Sequence, residues 1–475
     1  MTFRIGIVGG GPSGCAAAVA LCSAAEDQHG PVDVTIIERQ ALYKGRTFNT
    51  GDPTLLLNTS AGVTSVRAEA PDDFVAFLQT RQPATPADFA ARTDAAAYLK
   101  QTLAGLRGRS FRLRLRQAEV RNIEQTADGA LSVQSEASRL VFDTLVLAMG
   151  APFKPLDVAP TVRYVSPYPV SQLDEVEPDD SVLIVGSHLT AIDACVWLHA
   201  KGHRGPVTMI SRSGRLPAVR RSLLHDDAGR DAEHALAQSV ARRGGTRLER
   251  LGHVLAQRGR VSIAGIPNGR IPVDGAGEFI AAWKESEGGV LPWERLIMFA
   301  IDTLNAEWPR TTAAERRTFQ AAVGTPLLRF LSAMPLRNAR ILGNMVESGQ
   351  LTLAAGSLDH AGLPVFDGPP PANVPDRFDA IVNATGLGRP AEDPFIADLA
   401  RKRLVRINAD GGVCIDPATC RASPALPIYA LGPVAVGTIY TSNFLYSSVR
   451  SAQGLKAVLP RGWAGTRQQR AAAWV

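Results

Sequence analysis

Residues 3–21 read FRIGIVGGGPSGCAAAVAL: a short apolar run, a glycine-rich turn and an alanine-rich stretch. The apolar run has the composition of a strand buried on both faces. The alanines after it favour a closely packed helix. Between them Gly9, Gly11 and Gly14 fall on the spacing GxGxxG. In a strand–turn–helix unit the first such glycine permits the tight turn, the second admits a pyrophosphate against the backbone, and the third lets helix pack on strand. The start of the helix adds unpaired N–H groups and the positive end of its dipole. A second apolar run, VDVTIIERQ (32–40), places Glu38 24 residues after Gly14. A carboxylate at that distance is suited to a ribose 2′-hydroxyl. It disfavours a 2′-phosphate, which leaves FAD or NAD as the ligand of this turn.

The rest of the chain is consistent with a large two-domain globular protein. Its 475 residues are enough for two or three domains, and no low-complexity tract or tandem repeat interrupts them. The formal charge of +6 is spread along the chain. Short clusters such as Arg112, Arg114 and Arg116 alternate as on the solvated face of a strand. No basic stripe with interleaved aromatics points to nucleic acid, although anionic ligands fit the charge. Five scattered cysteines (Cys15, Cys22, Cys195, Cys414, Cys420) form no metal-ligand or CxxC spacing. They read as reduced thiols, and with no apolar run of membrane-spanning length and no leader, the expectation is a cytoplasmic protein outside the membrane.

After a helical stretch to about Arg107, residues 111–152 alternate like a meander of strands with a turn at Asp128–Gly129. They end in Asp143, an apolar strand and Ala148–Met149–Gly150. The pattern recurs in RFDAIVNATGLGRP (377–390), with Asp379 and Ala384–Thr385–Gly386. Between the two lies a second nucleotide-type turn, IVGSHLTAID (184–193), with Gly186 kept, His188 at the middle position and Ala191 at the third.

Two strand-to-glycine signatures framing a second turn resemble the flavoproteins in which an FAD domain is interrupted by an NAD(P)H domain. Within that class, GRTFNTGDPTLLLNTSAGVTS (45–65), FAARTDAAAYL (89–99) and the segment Val182–Pro217 are similar to the family containing FAD-dependent urate hydroxylase and aspartate N-monooxygenase. The likeness covers roughly the first half of the chain and LPIYALGPVAVGTIYTSNFL (426–445); residues 223–346 carry none of it.

The resemblance implies an α/β fold with two Rossmann-like dinucleotide-binding domains. The FAD domain takes residues 1–160 and 375–475, and the NAD(P)H-like domain takes 161–374 with a helical insertion at about 216–347. It implies an FAD site at Gly9, Gly11, Gly14, Glu38, Arg46, Asn58, Gly150, Gly386 and Gly432, with a helix beginning near Thr441 and aimed at the flavin. Asn58 either faces the flavin or substrate or caps the turn before Ser60. The reaction implied is NADPH-driven insertion of one oxygen atom from O2 into a small molecule, with an amine nitrogen as the acceptor considered first. The rivals are an oxidase or reductase without oxygen transfer, and a silent flavin-binding protein. Gly432–Pro433 favours the last, because such flavoproteins often carry Gly-Asp there.

At the second turn a side chain in place of the middle glycine obstructs phosphate approach. Against that, Ser211–Arg212–Ser213 stands where an NAD site would have an acid, and a guanidinium with hydroxyls suits the 2′-phosphate of NADP. His188 can itself donate to a phosphate from the helix start, or merely fill space beside Trp197. Around the start of the unmatched segment, Arg220, Arg221, His225, Asp226 and Asp227 form either an anion or substrate site or a solvated helix end. Residues 314–351 have apolar spacing of helical period and are expected to pack on the nucleotide domain. Trp283, Trp293 and Trp308 are expected in the core.

Overall fold

The computed structural model describes residues 2–26, 31–40, 42–156, 162–260, 275–359 and 362–459. The boundary expected at 160–161 and the last sixteen residues of the expected FAD domain, 460–475, lie outside them.

In chain order the first part comprises β1 (Phe3–Val8), α1 (Pro12–Glu26), β2 (Val32–Glu38), α2 (Asp73–Gln79), α3 (Arg92–Gly105), β3 (Phe111–Gln117), β4 (Val120–Gln125), β5 (Leu131–Ser135), β6 (Arg139–Phe142) and β7 (Thr144–Leu147). There follow β8 (Arg163–Val165), β9 (Val182–Val185), α4 (Leu189–Ala200), β10 (Val207–Ser211) and β11 (Val219–Arg220). The helical stretch holds α5 (Asp227–Arg243), α6 (Arg247–Gly259), α7 (Gly275–Glu287), α8 (Ile297–Glu307), α9 (Ala313–Phe319) and α10 (Thr325–Leu331). The chain continues through β12 (Met334–Pro335), α11 (Leu336–Glu347), β13 (Leu351–Leu358), β14 (Pro364–Phe366), β15 (Ala380–Asn383), α12 (Pro394–Arg401), β16 (Ile428–Ala430) and α13 (Leu445–Ala452).

Two parallel sheets carry the molecule. The first runs β16-β7-β1-β2-β3, all parallel, and the second β14-β13-β10-β9-β15-β8, parallel except for the edge strand β14. Central strands of such sheets are covered on both faces. Accordingly Ile5, Ile7, Leu145, Leu183, Ile184 and Val382 are fully buried. The edge strand β3 instead exposes Arg112, Arg114 and Arg116, and Arg114 pairs with Asp33 on β2. Charge on an edge discourages pairing with another chain. The antiparallel meander β4-β5-β6 folds back at Gly129, whose φ of +81° suits the turn. The fold is therefore α/β with two Rossmann-like sheets, as expected.

The helical stretch divides between two cores. Helices α7 and α11 pack on the second sheet, where Phe279, Ala339 and Leu342 join Val182, Trp197 and Val207. Helices α5, α6 and α8–α10 build a core of their own around Leu236, Leu251, Ile301 and Leu327. Of residues 314–351, α11 thus reaches the nucleotide domain, whereas α9 and α10 turn away from it. Trp293 and Trp308 are buried in the separate core, and Trp283 lies half-buried against the second sheet's core. No described helix is long and apolar enough to cross a membrane.

This separate core leans on the C-terminal segment. Trp308 meets Tyr440 edge-on at 4.8 Å, Arg316 lies 5.0 Å above the Trp308 ring, and its guanidinium donates to the Gly437 carbonyl at 2.7 Å. Trp308→Ala would remove the ring on which all three depend. We expect a loss of about 3–5 kcal/mol in urea unfolding, with faster amide exchange at 437–445.

Candidate functional site

Gly9 closes the turn after β1 with a φ of +108°, and a Cβ there would lie 2.4 Å from the Ala148 carbonyl oxygen. A Cβ on Gly14 would lie 1.9 Å from the Gly9 carbonyl oxygen, so helix and turn touch backbone to backbone. Gly11 is different. A side chain there would meet only the Gly45 backbone, at 3.4 Å, and the space it leaves opens onto a cleft. Pro12 begins α1 without an N–H to spare, and the first-turn amides after it have no acceptor within the helix. The Glu38 carboxylate accepts from the amides of Gly10 at 2.7 Å and Gln40 at 2.9 Å, which fixes it at the lip of the same cleft.

Two contiguous cavities meet at this lip. One, of about 420 Å³, runs from Gly9 and Glu38 past Ala118 and Val120 to Phe395. The other, of about 360 Å³, runs from Gly11 past Arg46 and Asn58 to Thr190 and Phe444. Glu38, Arg39, Arg46 and Gly150 border both. Arg46 stands over the Phe153 ring at 5.5 Å, and burial together with Arg39 lowers its pKa. The carboxamide oxygen of Asn58 is buried without any hydrogen-bond partner, so it caps no turn and remains free to accept from a ligand in the cleft. A glycine cradle, an acid at the shared lip, and an orphaned acceptor at the far end fit an extended dinucleotide carrying a ring with N–H groups. The residues present fit FAD.

The second turn repeats the first. Gly186 has a φ of +123°, and its Cβ would lie 2.2 Å from the Ala384 carbonyl oxygen. Ala191 is fully buried in the third position. His188 is the exposed N-cap of α4, not a filler of the core, and its Nδ1 lies 3.2 Å from the Ser332 hydroxyl. Desolvation, Arg329 and Arg212 hold its imidazole below the usual range, which favours the neutral form at pH 7. Ser211 is held within the turn: its hydroxyl accepts from Ser187 at 2.9 Å and from the Gly214 amide at 3.1 Å. Arg212 is exposed and makes no ion pair among the described residues, whereas Arg215 and Arg329 are both tied to Glu278.

Several expected residues act differently from their sequence reading. The helix expected near Thr441 begins at Leu445, and it is Asn443, Phe444 and Leu445 that border the cleft. Thr441 is buried instead against α8, its amide and hydroxyl both donating to the Asn305 carboxamide oxygen at 3.0 Å. Gly432 is pressed on α1: a Cβ there would lie 2.3 Å from the Ser13 hydroxyl, and the cleft is bordered by Pro433. Gly386 has a φ of +92° and leaves Leu387 at the cleft.

Arg220, Arg221, His225, Asp226 and Asp227 do not converge on a site. Arg220 is buried and donates to the carbonyls of Phe330 and Leu331. Arg221 reaches the Ser286 and Glu287 carbonyls, Asp226 caps α5 and pairs with Arg295, and the His225 ring is tilted against Tyr446. Short chain separation put them side by side in sequence, and the irregular stretch 221–226 points them apart.

Sequence reading missed three features. Arg92, Tyr168 and Asp193 all border the cleft as buried, mutually bonded groups. Asp393 to Ile396 wall the Glu38 end. Asn305 braces the segment that leads into α13. Only Arg92 had a signal, as the arginine of the 89–99 pattern; nothing local marks a buried charge whose partner lies 101 residues away.

The fold and cleft define a protein with two dinucleotide-binding domains, and known proteins share parts of this plan. Residues 6–152 match a family profile described as FAD-NAD(P)-binding. A comparison with curated protein sequences returns no match. Among solved structures, the ornithine N-hydroxylase of Kutzneria sp. 744 superposes with a TM-score of 0.56 at 13% identity, over 96% of this chain and 99% of that one. The ornithine hydroxylase of Pseudomonas aeruginosa gives 0.54 at 14%, over 96% and 98%. The L-lysine 6-monooxygenase of Pseudomonas syringae gives 0.54 at 13%, over 98% and 99%. At these identities the likeness is one of fold.

Removing the acid at the lip tests the first turn. Glu38→Ala is expected to weaken FAD binding about 10- to 100-fold, the range of one charged hydrogen bond, in a fluorescence titration of the FAD-free protein.

Proposed function

We propose that the chain is an FAD- and NADPH-dependent monooxygenase that places one oxygen atom from O2 on the nitrogen of a small amine. We also propose that it belongs with the family of FAD-dependent urate hydroxylase and aspartate N-monooxygenase, on the segments 45–65, 89–99 and 182–217. One observation carries the reading: the cleft that begins at the first glycine turn also takes in Leu189 and Thr190, the first residues of the helix after the second turn. A flavin and a nicotinamide can therefore meet in one cleft.

FAD, reduced by the nicotinamide, would supply the chemistry that activates O2. The chain's own work is to bind, orient and dry the site. Glu38 would hold the ribose hydroxyls, the α1 terminus the phosphates, and Asn58 would accept from a flavin or substrate N–H. Phe48, Leu57, Phe153, Leu331 and Phe444 give the cleft apolar walls. Such walls disfavour an ammonium ion and so favour the neutral amine, whose lone pair is needed to take the oxygen. Ornithine and lysine, named for three of the proteins that share the fold, set the substrate size to try first.

Hydride exchange without oxygen transfer is the second reading, and His188 at the middle position of the second turn favours it. Anaerobic bleaching of the FAD-loaded protein separates the cases. Fast bleaching by NADPH and slow bleaching by NADH, followed by oxygen-dependent hydroxylamine from a diamine or basic amino acid, supports the proposal. Bleaching with only hydrogen peroxide as product, across all amines tried, would leave the second reading in its place. Absence of bleaching by either nicotinamide removes the proposed reaction.

Arg212→Ala checks cofactor choice within the same assay. The NADPH concentration for half-maximal reduction should rise about 10- to 100-fold with loss of one charge-assisted contact, while that for NADH stays unchanged.

A further inference from the structure

Arg92 opens α3 in the first nucleotide domain, Asp193 sits one turn into α4 in the second, and Tyr168 lies just after β8, in the second sheet's core. Their relative exposures are 4%, 2% and 7%, yet all three border the cleft. The Arg92 guanidinium pairs with the Asp193 carboxylate at 2.5 Å and donates to the Tyr168 hydroxyl at 3.0 Å. Tyr168 in turn donates to the same carboxylate. On its other side Arg92 donates to the Leu56 carbonyl at 3.0 Å and the Thr47 carbonyl at 3.3 Å. Its backbone amide reaches Leu55 at 2.9 Å, and Leu57 donates to Ala90 at 2.8 Å. One side chain therefore joins the stretch that carries Asn58 to the helix that follows the second glycine turn.

On α4, Thr190 and Asp193 lie three residues apart and share a face, with Leu189 beside them. Whatever fixes Asp193 also fixes the turn that faces the cleft. An apolar contact at this place would hold the domains together but would tolerate sliding. Two donors, Arg92 and Tyr168, converging on one oxygen of a buried carboxylate define one register. Buried ion pairs contribute little net stability against apolar replacements, and setting a register is their best-attested use.

We propose that Arg92, Asp193 and Tyr168 are positioning residues that set the leading turn of α4, and with it the nicotinamide, in register with the flavin pocket. This rests on the proposed use of NADPH for its kinetic consequence, but not for its structural one. None of the three transfers hydride or oxygen. They determine the distance across which hydride passes, where an error of about 1 Å costs about 100-fold in rate.

The test uses the full-length, FAD-loaded protein and two variants. The double variant Arg92→Met/Asp193→Leu removes both charges and so leaves no lone buried ion. Tyr168→Phe removes one hydroxyl and serves if the double variant does not fold. Stopped-flow reduction at saturating NADPH should slow about 100-fold in the double variant and about tenfold in Tyr168→Phe. Retention of FAD should stay within about threefold, and photoreduction of the flavin without nicotinamide should be unchanged, which a general loss of folding would not allow. Reduction at the wild-type rate in the folded double variant, or in Tyr168→Phe where only that one folds, overturns the proposal.

Hydrogen exchange with FAD bound and no nicotinamide supplies a readout independent of NADPH. Amides 189–193 should exchange faster in the variants, while those of β1 and α1 do not change. If wild-type protein is not reduced by NADPH, the proposed function fails and this exchange experiment alone decides the inference. Unchanged exchange at 189–193 overturns it.

Discussion

Each of the two turns rests on a glycine pressed against a carbonyl. Gly9 meets Ala148 and Gly186 meets Ala384, and in both places a single methyl group would overlap a main-chain oxygen. This contact is possible only because the strand carrying the glycine lies next to the strand that ends at the carbonyl: β1 beside β7, β9 beside β15. The adjacency brings two strand ends together and leaves a crevice above them, where ligands of open parallel sheets bind. The two halves of the chain thus reach the same solution from different residues. They diverge at the middle position of the turn, where Gly11 leaves open space and His188 places an imidazole at the head of a helix.

The crevice alone does not make a closed site. Leu57 to Thr59 and the residues Asn443 to Leu445 border the cleft, and the chain beside each is held by the helical insertion. The Ser60 hydroxyl accepts from the Leu223 amide at 2.8 Å, and Asn305 on α8 donates to Thr441 at 2.8 Å and to Ser447 at 3.1 Å. The carboxamide of Asn305 is used at both ends, so it aligns the segment instead of merely covering it. The part of the chain with no resemblance to known flavoprotein segments therefore shapes the part that has one. Helices α7 and α11 go elsewhere, packing on the second sheet, because their apolar faces match its surface and not the insertion core.

Much of the frame was legible because it depends on local chemistry. A run of apolar residues followed by closely spaced glycines can do little except leave a buried strand through a tight turn, and this held at Gly9 and at Gly186. The start of α4 at Leu189, the turn at Gly129 and the charged edge at Arg112–Arg116 follow from the same short-range rules. Glu38 was identifiable because its distance from Gly14 is set by one helix and one strand.

What no local rule reaches is the pairing of groups distant in sequence. The start of α13 moved from Thr441 to Leu445 because Asn305, 136 residues away, takes up the amide and hydroxyl of Thr441. The adjacent charges at 220–227 looked like a site and were dispersed, since each found a different partner in the packed insertion. Of Arg92, Asp193 and Tyr168 only the first carried a signal in the sequence, and the fold brought all three together at the cleft. By itself the sequence determined two nucleotide-binding sheets and the position of their turns, since strands, helices and glycine turns are specified over a few residues. The tertiary structure alone decided that the first glycine turn and the start of α4 border one cleft, and which buried charges meet there. A charge can be kept from water only beside its partner, and only the completed fold supplies that partner.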